Sequence, residues 1–364
     1  MRSPPDDDAQ LLQRLVAVPS VTGSEAAAVR LMQEQAHADG FRVTEDAAGN
    51  FIAETGGGPR LLLFVGHIDT VPGPIPVRVE GDTMWGRGAG DAKGPLAAAY
   101  CAARRHLGSQ HVTIRIVGAV DEEGNSRGGK ALPTGSDPAW RPEWIVIGEP
   151  SGVHGLTLGY KGIVRGSFHL ERPRHHGAHS GPTGVEEAMR FWAACQSAFH
   201  LEDRFDTMQG HLTAIETHSD GLVDRLTGRF NLRLPPGIEP GTVQAQLDAL
   251  GTAHEVAVEV DETVPPALAP KRTPLVAAFL RAIRQAGGEP RLLRKTGTCD
   301  FNLLARRHPG VPIVAYGPGD ARLDHTPEER IELAEFHQAV DILDQVFESL
   351  AVAEPIGQTE IVPA

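Results

Sequence analysis

Several segments in the first 150 residues read as strands that are apolar on both sides, and this constrains the fold most. They are among the strand-like runs FRVTE (41–45), FIAET (51–55), RLLLFVGH (60–67), HVTIRIVGAV (111–120) and WIVIG (144–148). Successive side chains of a strand point to opposite faces. A strand apolar on both must therefore sit in a sheet covered by helices front and back. The intervening sequence supplies those helices. AQLLQRLVAV (9–18) ends at Pro19. EAAAVRLMQEQAHAD (25–39) has Ser24 available as N-cap and Gly40 to stop it, and GPLAAAYCAARRHLG (94–108) carries Pro95 in its first turn. Aromatic residues are only 5% of the chain, so aliphatic and alanine packing must fill the core.

From Gly159 the pattern changes. VRGSFHL (164–170) reads as a strand and 184–200 as a helix. HLTAIETH (211–218) and RLTGRFNLRL (225–234) read as strands, 241–251 as a helix and HEVAVEV (254–260) as a strand. That βαββαβ order is a complete ferredoxin-like unit. TVPPALAP (263–270) reads as the return linker. A helix (273–286), a strand VPIVAY (311–316) and a final helix follow, the last with Phe336, Val340, Leu343, Phe347 and Leu350 on one stripe. The expectation is an α/β domain, 1–158 plus 268–364, interrupted by a smaller α+β domain, 159–267.

Composition narrows the function. Hydrophobic residues at 41% and charged ones at 22% suit a soluble globular protein, and 364 residues suffice for two domains. A net charge of −13 argues against general nucleic-acid binding, which needs a basic face. No run approaches the ~20 apolar residues of a membrane span. The acidic start MRSPPDDDAQ lacks the features of a secretory signal. Three scattered cysteines fit reduced thiols in a cytoplasm and exclude a Cys-rich zinc site.

Acidic residues and histidines recur where these strands end. GHIDTVPG (66–73) closes one strand with His67 and Asp69. GRGAGDAKG (86–94) places Asp91 in a glycine-rich turn before a helix. DEEGNSRGG (121–129) follows another strand, Glu149 follows WIVIG, and YGPGDARLDHTPEE (316–329) carries Asp324 and His325. Singly, each has a bland reading: a satisfied core histidine, a solvated turn, a strand terminus, a helix cap. Ligands of α/β sheets gather at the carboxyl ends of the strands, so His67, Asp91, Glu123, Glu149 and His325 can converge. Crowded carboxylates repel, and two divalent cations would neutralise them. Mixed imidazole and carboxylate donors suit zinc, with cobalt or manganese as alternatives. Asp91 is the candidate bridging ligand. Glu122 and Glu123, neighbours on a segment read as extended, point different ways, so that one can bind metal while the other serves as general base. Asp69 can hold the second nitrogen of His67.

These motifs resemble the M20 metallopeptidase family of di-zinc amidohydrolases and exopeptidases, and the resemblance covers nearly the whole chain. It implies a mixed-sheet, zinc-exopeptidase-like catalytic domain with an inserted lid and dimerisation domain. It implies His67, Asp91 and Glu149 on one metal and Asp91, Glu123 and His325 on the other. Glu122 would be the base, with Asp69 behind His67 and a cis peptide at Asp91–Ala92. GAHSGPTGVEEAM (177–189) matches a family stretch whose histidine stabilises an oxyanion, here His179, against the alternative of a surface histidine. FNLRLP (230–235) matches a segment whose arginine grips substrate carboxylate, here Arg233, against that of a solvent-facing strand arginine. KTGTCDFN (295–302) adds Lys295 and Thr298 on the substrate side.

Finer motifs, LGYKG (158–162) and KTGTCDFN among them, resemble the branch of the family that serves carrier-protein lysine biosynthesis. Its members release lysine or ornithine from the C-terminal glutamate of the small acidic carrier LysW. Cys299 stands where relatives commonly have serine, and Gly90 where a larger residue is usual. An acidic carrier requires local basic patches on an acidic enzyme. Arg291, Arg294 and Lys295, and Arg172 and Arg174 on the insert, are candidates; scattered solvated cations are the other reading. Family alternatives are a deacylase of free acetylornithine or succinyl-diaminopimelate, and a peptidase. A binding module without turnover is the remote one.

Overall fold

A computed structural model of the chain describes residues 4–135, 137–174, 176 and 180–352. In the strand Arg60–His67 every residue after Arg60 is buried, as expected of a strand covered on both faces. It lies inside a mixed sheet ordered Arg42–Glu45, Phe51–Gly56, Val112–Ala119, Arg60–His67, Trp144–Gly148, Ile313–Ala315 and Gly155–Tyr160. Arg60–His67 runs parallel to both Val112–Ala119 and Trp144–Gly148, and Ile313–Ala315 runs parallel to the latter. The register sets His67 opposite Ala119 and Gly66 opposite Gly148, so three strands finish level at one edge. Gly148 is required by packing, since a Cβ there would meet the Phe64 ring at 2.6 Å.

The helix Lys93–Arg104 is buried from Lys93 to Ala103, and its alanines let it sit close to the sheet. The final helix, Leu333–Val352, buries Phe336, Val340, Leu343, Phe347 and Leu350, the stripe read from the sequence. The helix Ala26–Asp39 stops at Gly40, whose φ of 90° is left-handed, as expected. Its start differs. Glu25, not Ser24, occupies the N-cap position and makes no side-chain cap, because its carboxylate accepts the N–H groups of Gly23 and Asp121 instead. Among the described residues, no helix is long and apolar enough to cross a membrane.

The chain divides into two compact units. The first holds residues 1–158, 269–293 and 307–364, and the second holds Gly159–Leu268 with Arg294–Arg306. The second unit has four antiparallel strands ordered Gln209–Ser219, Val223–Leu234, Gly162–Pro173 and Ala257–Val264. Counted within the unit this is 2-3-1-4, with Gly184–Ala198 and Pro240–His254 as its two helices, in the βαββαβ sequence. Leu226, Phe230 and Leu232 share a core with Phe168 and Phe191. Arg225, Thr227, Arg229, Asn231 and Arg233, which alternate with them along the strand, occupy the opposite face.

Residues 294–306, expected with the first domain, belong to the second unit. Polar bonds explain this. Arg294 pairs with Asp206 at 2.9 Å, and Asn302 donates to the carbonyls of Lys161 and Pro265 at 3.0 and 2.9 Å. A small sheet of Arg78–Glu80, Thr83–Trp85 and Arg330–Glu332 has no counterpart in the sequence reading, because three-residue strands are too short to display a period.

Candidate metal centre

His67 is the last residue of its strand and Glu149 directly follows Trp144–Gly148. Asp91 precedes the helix Lys93–Arg104, and its peptide bond to Ala92 is cis, at the position the resemblance implies. His325 sits between Ile313–Ala315 and Arg330–Glu332 with a φ of 63°. Glu122 and Glu123 differ from expectation in conformation. Their segment is a turn rather than extended chain, flanked by left-handed Asp121 and Ser126 at φ 62° and 49°. The turn, not strand alternation, sets the directions of the two carboxylates.

The ligand atoms of His67, Asp91 and Glu149 lie within 4.8 Å of one another, and so do those of Asp91, Glu123 and His325. Asp91 is common to both sets and divides its oxygens between the histidines. His67 Nε2 is 3.1 Å from Oδ1, and His325 Nε2 is 3.1 Å from Oδ2. Glu123 Oε1 is 2.8 Å from His325 Nε2. Glu122 belongs to neither set, but its carboxylate groups with His67 and Glu123.

These residues fit metal ions. His67 Nδ1 is 3.0 Å from the Asp69 carbonyl and 3.4 Å from Asp69 Oδ1. Donation of the Nδ1 proton to Asp69 leaves Nε2 as a lone pair aimed at a carboxylate oxygen, an arrangement that needs a cation between them. Donor atoms ~2.0–2.1 Å from a tetrahedral zinc lie roughly 3.3 Å apart, close to the spacings found.

The electrostatics give the same requirement. Burial works against charge on His67, yet the Asp69 and Asp91 carboxylates hold its pKa well above the ordinary value. Asp91 and Glu123 push His325 up to about 10. Burial would raise Asp91, but the His325 and His67 donors keep it well below the usual carboxylate range. The carboxylates around each imidazole thus favour a positive charge at its Nε2, which a metal ion would supply in place of a second ring proton.

Asp69 is fully buried and does more than the sequence suggested. Its Oδ1 accepts from the Glu122 N–H and its Oδ2 from the Glu123 N–H, both at 3.1 Å. The Thr22 hydroxyl donates to Oδ2 at 2.9 Å. Burial opposes ionisation of Asp69, and the His67, Thr22 and Glu122 hydrogen bonds overcome it and lower its pKa.

In the second unit, Arg233 Nη1 donates to Thr298 Oγ1 at 3.0 Å, and that hydroxyl donates to the Lys161 carbonyl at 2.9 Å. Lys161 is buried and donates to Arg204 O, Thr207 O and Gln209 Oε1, each at 2.7 Å. Lys295 Nζ stands 6.0 Å from the Tyr160 ring centroid. His179 lies outside the described residues. Two candidate docking arginines are engaged within the unit, Arg172 with Glu187 and Arg294 with Asp206.

The sequence profile of Peptidase family M20/M25/M40 matches residues 63–349. The chain belongs to this family. A relative of this M20 chain in Thermococcus kodakarensis, provisionally named LysW-lysine/LysW-ornithine hydrolase, is 41% identical, with 98% of this chain and 97% of that protein covered. The LysW-lysine hydrolase of Deinococcus radiodurans is 37% identical, with 93% and 97% covered. Among solved structures, aminopeptidase PepT of Bacillus cereus superposes with a TM-score of 0.78 at 19% identity, over 95% of this chain and 99% of that one. M20 enzymes are dinuclear and metal-dependent hydrolases, and this chain has the corresponding candidate site.

Several residues around the site carry no motif signal of their own. Thr22 and Glu25 lie in SVTGSE (20–25), which reads as a helix start. Asn50 is buried, accepts from the Val120 N–H at 3.0 Å and donates to the Gly128 carbonyl at 3.0 Å, bracing the loop that bears Glu122 and Glu123. Gly90 has space for a larger residue, since a Cβ there meets nothing closer than 3.9 Å.

Proposed function

We propose that this M20 chain releases lysine or ornithine from the C-terminal glutamate of LysW by hydrolysing the amide between the glutamate γ-carboxyl and the α-amino group of the amino acid. The observation that carries the substrate assignment is the 37% identity, over nearly the full length of both chains, to the Deinococcus LysW-lysine hydrolase. The reaction type is supported by the sharing of Asp91 between two donor sets.

We assign His67, Asp91 and Glu149 to one metal and Asp91, Glu123 and His325 to the other. Zinc suits these donors best, and cobalt is also accommodated. When bound, the metals polarise the amide carbonyl and acidify water. Glu122 takes the proton from the attacking water and passes it to the leaving α-amino nitrogen, so water is divided between the freed γ-carboxyl and the amine. Asp69 fixes the tautomer of His67 and holds the backbone of Glu122. On the family resemblance, His179 is assigned to the developing oxyanion. Arg233, Lys295 and Thr298 are assigned to the substrate, with Arg233 on its carboxylate. A cytoplasmic location and a homodimer formed through the second unit complete the reading.

Purified, metal-loaded enzyme incubated with LysW-lysine, LysW-ornithine, acetylornithine and succinyl-diaminopimelate tests the assignment. Release of amino acid from the carrier-linked substrates, with little from the free acyl compounds, is expected. The reverse pattern would assign a small-molecule deacylase, and no release from any substrate would reject both.

A further inference from the structure

Glu329 lies outside both donor sets, and its side chain is almost wholly enclosed, at 1% exposure. It is a carboxylate placed among backbone donors. Oε1 accepts the N–H groups of Gly88 at 2.9 Å, Gly90 at 3.1 Å and Asp91 at 3.2 Å. Oε2 accepts from Arg87 Nη1 at 2.6 Å, and the Arg87 Nε donates to the Gly73 carbonyl at 3.1 Å. The backbone adds a weaker link, Gly86 N–H to Glu329 O at 3.4 Å.

All these donors belong to the turn that ends in Asp91. Gly88 has a φ of 86°, which turns the chain so that successive N–H groups converge on one oxygen. The other end of the clamp is equally informative. Glu329 follows His325 by four residues, on the segment entering the strand Arg330–Glu332. One side chain therefore ties the turn carrying the shared carboxylate to the loop carrying the second histidine. Asp91 Oδ2 stands 3.1 Å from His325 Nε2 across that tie.

We propose that Glu329 is a positioning residue for the metal centre: it sets the distance between Asp91 and His325 and thereby the affinity of the site formed by Asp91, Glu123 and His325. This rests on the two-metal reading above. Glu329 touches no ligand atom of that site. It acts through the backbone of Asp91, as partners of metal ligands do when they orient them, and loss of such partners typically lowers metal affinity ~10–100-fold. The other donor set, His67 and Glu149 with Asp91, draws its remaining ligands from strand ends that Glu329 does not bond, so its affinity should change less.

The test is a titration of metal-free full-length protein with Co2+, followed by calorimetry and by the visible absorption of the bound ion. Wild type should take up two equivalents; uptake of fewer would reject the two-metal reading itself. Glu329→Ala should retain one tight equivalent and bind the second at least 10-fold more weakly, with an altered absorption band. Glu329→Gln, whose amide oxygen can still accept the turn N–H groups, should recover much of that loss. Arg87→Met should weaken the second site less than Glu329→Ala does. Two equivalents at wild-type affinity in a folded Glu329→Ala protein would overturn the proposal. Should that variant fail to fold, Glu329→Gln decides, because its amide nitrogen cannot accept from Arg87: a second-site loss smaller than ~10-fold, with the first site and the circular dichroism spectrum unchanged, supports the role, and weakening of both sites alike or of neither rejects it.

Discussion

Asp69 and Glu122 are joined through the backbone, with Asp69 Oδ1 accepting the Glu122 N–H at 3.1 Å while its Oδ2 takes that of Glu123. The residue behind a candidate metal ligand thus also sets the turn bearing the candidate base. Asp69→Asn would present an N–H to one of those backbone N–H groups and unsettle the His67 tautomer. The expected result is a ~10–100-fold loss of kcat with reduced metal content, read by steady-state kinetics and elemental analysis.

The two neighbouring glutamates should separate by what each loses. Glu122→Gln keeps its place in the turn but cannot take a proton. Turnover should fall ~10²-fold or more, with the metal content unchanged. Glu123→Ala removes a donor 2.8 Å from His325 Nε2 and should release metal. Elemental analysis of the two variants side by side distinguishes base from ligand, and equal metal loss in both would refute the division of labour.

Arg233 rests on a neutral partner, the Thr298 hydroxyl, at 3.0 Å. Burial lowers its pKa, and neighbouring Arg165 acts in the same direction, so an anionic substrate group would relieve the site. Arg233→Met should raise KM for carrier-linked lysine ~10-fold or more while the metal content is retained, since charged hydrogen bonds contribute ~1.5–3 kcal/mol. Unchanged KM would remove the residue from the substrate site.

Acid stability offers a check away from the centre. Burial would raise the Glu54 carboxyl, but hydrogen bonds from Arg42 and Arg115 dominate and lower its pKa. A carboxylate depressed in the folded state binds fewer protons than in the unfolded chain. Its contribution is therefore complete above the unfolded value near 4.5 and disappears as pH falls through the folded value. Glu54→Gln should destabilise by about 1–2 kcal/mol at pH 7 and by less near pH 3, measured by denaturant unfolding across pH.

How far the sequence could be read depended on the kind of signal each part carries. The strand Arg60–His67 was legible as a continuous apolar run, which burial on both faces requires, and the stripe from Phe336 to Leu350 because burial of one side imposes a period on a long helix. His67, Asp91, Glu123, Glu149 and His325 were legible because each ends or follows a strand in an acidic or glycine-rich turn, and the structure brings them together. The turn geometry of Glu122 and Glu123 was not, since left-handed Asp121 and Ser126 depend on tertiary bonds such as that from the Asp121 N–H to Glu25. Glu329 was quoted within a motif but given no role, because the backbone donors to its Oε1 lie 238 to 241 positions earlier. The membership of 294–306 was hidden likewise, being decided by Asn302 and its carbonyl partners.

The flush ends of Arg60–His67, Val112–Ala119 and Trp144–Gly148 put His67 and Glu149 at one rim of the sheet, and the parallel register puts the starts of the same strands at the other. That rim includes the connection before Val112, where Gln110 is exposed. All three native thiols are buried. A cysteine introduced at Gln110 would therefore be the accessible attachment point, and a fluorophore or surface tether placed there would report on this enzyme while its reacting edge stays open to a protein-sized substrate.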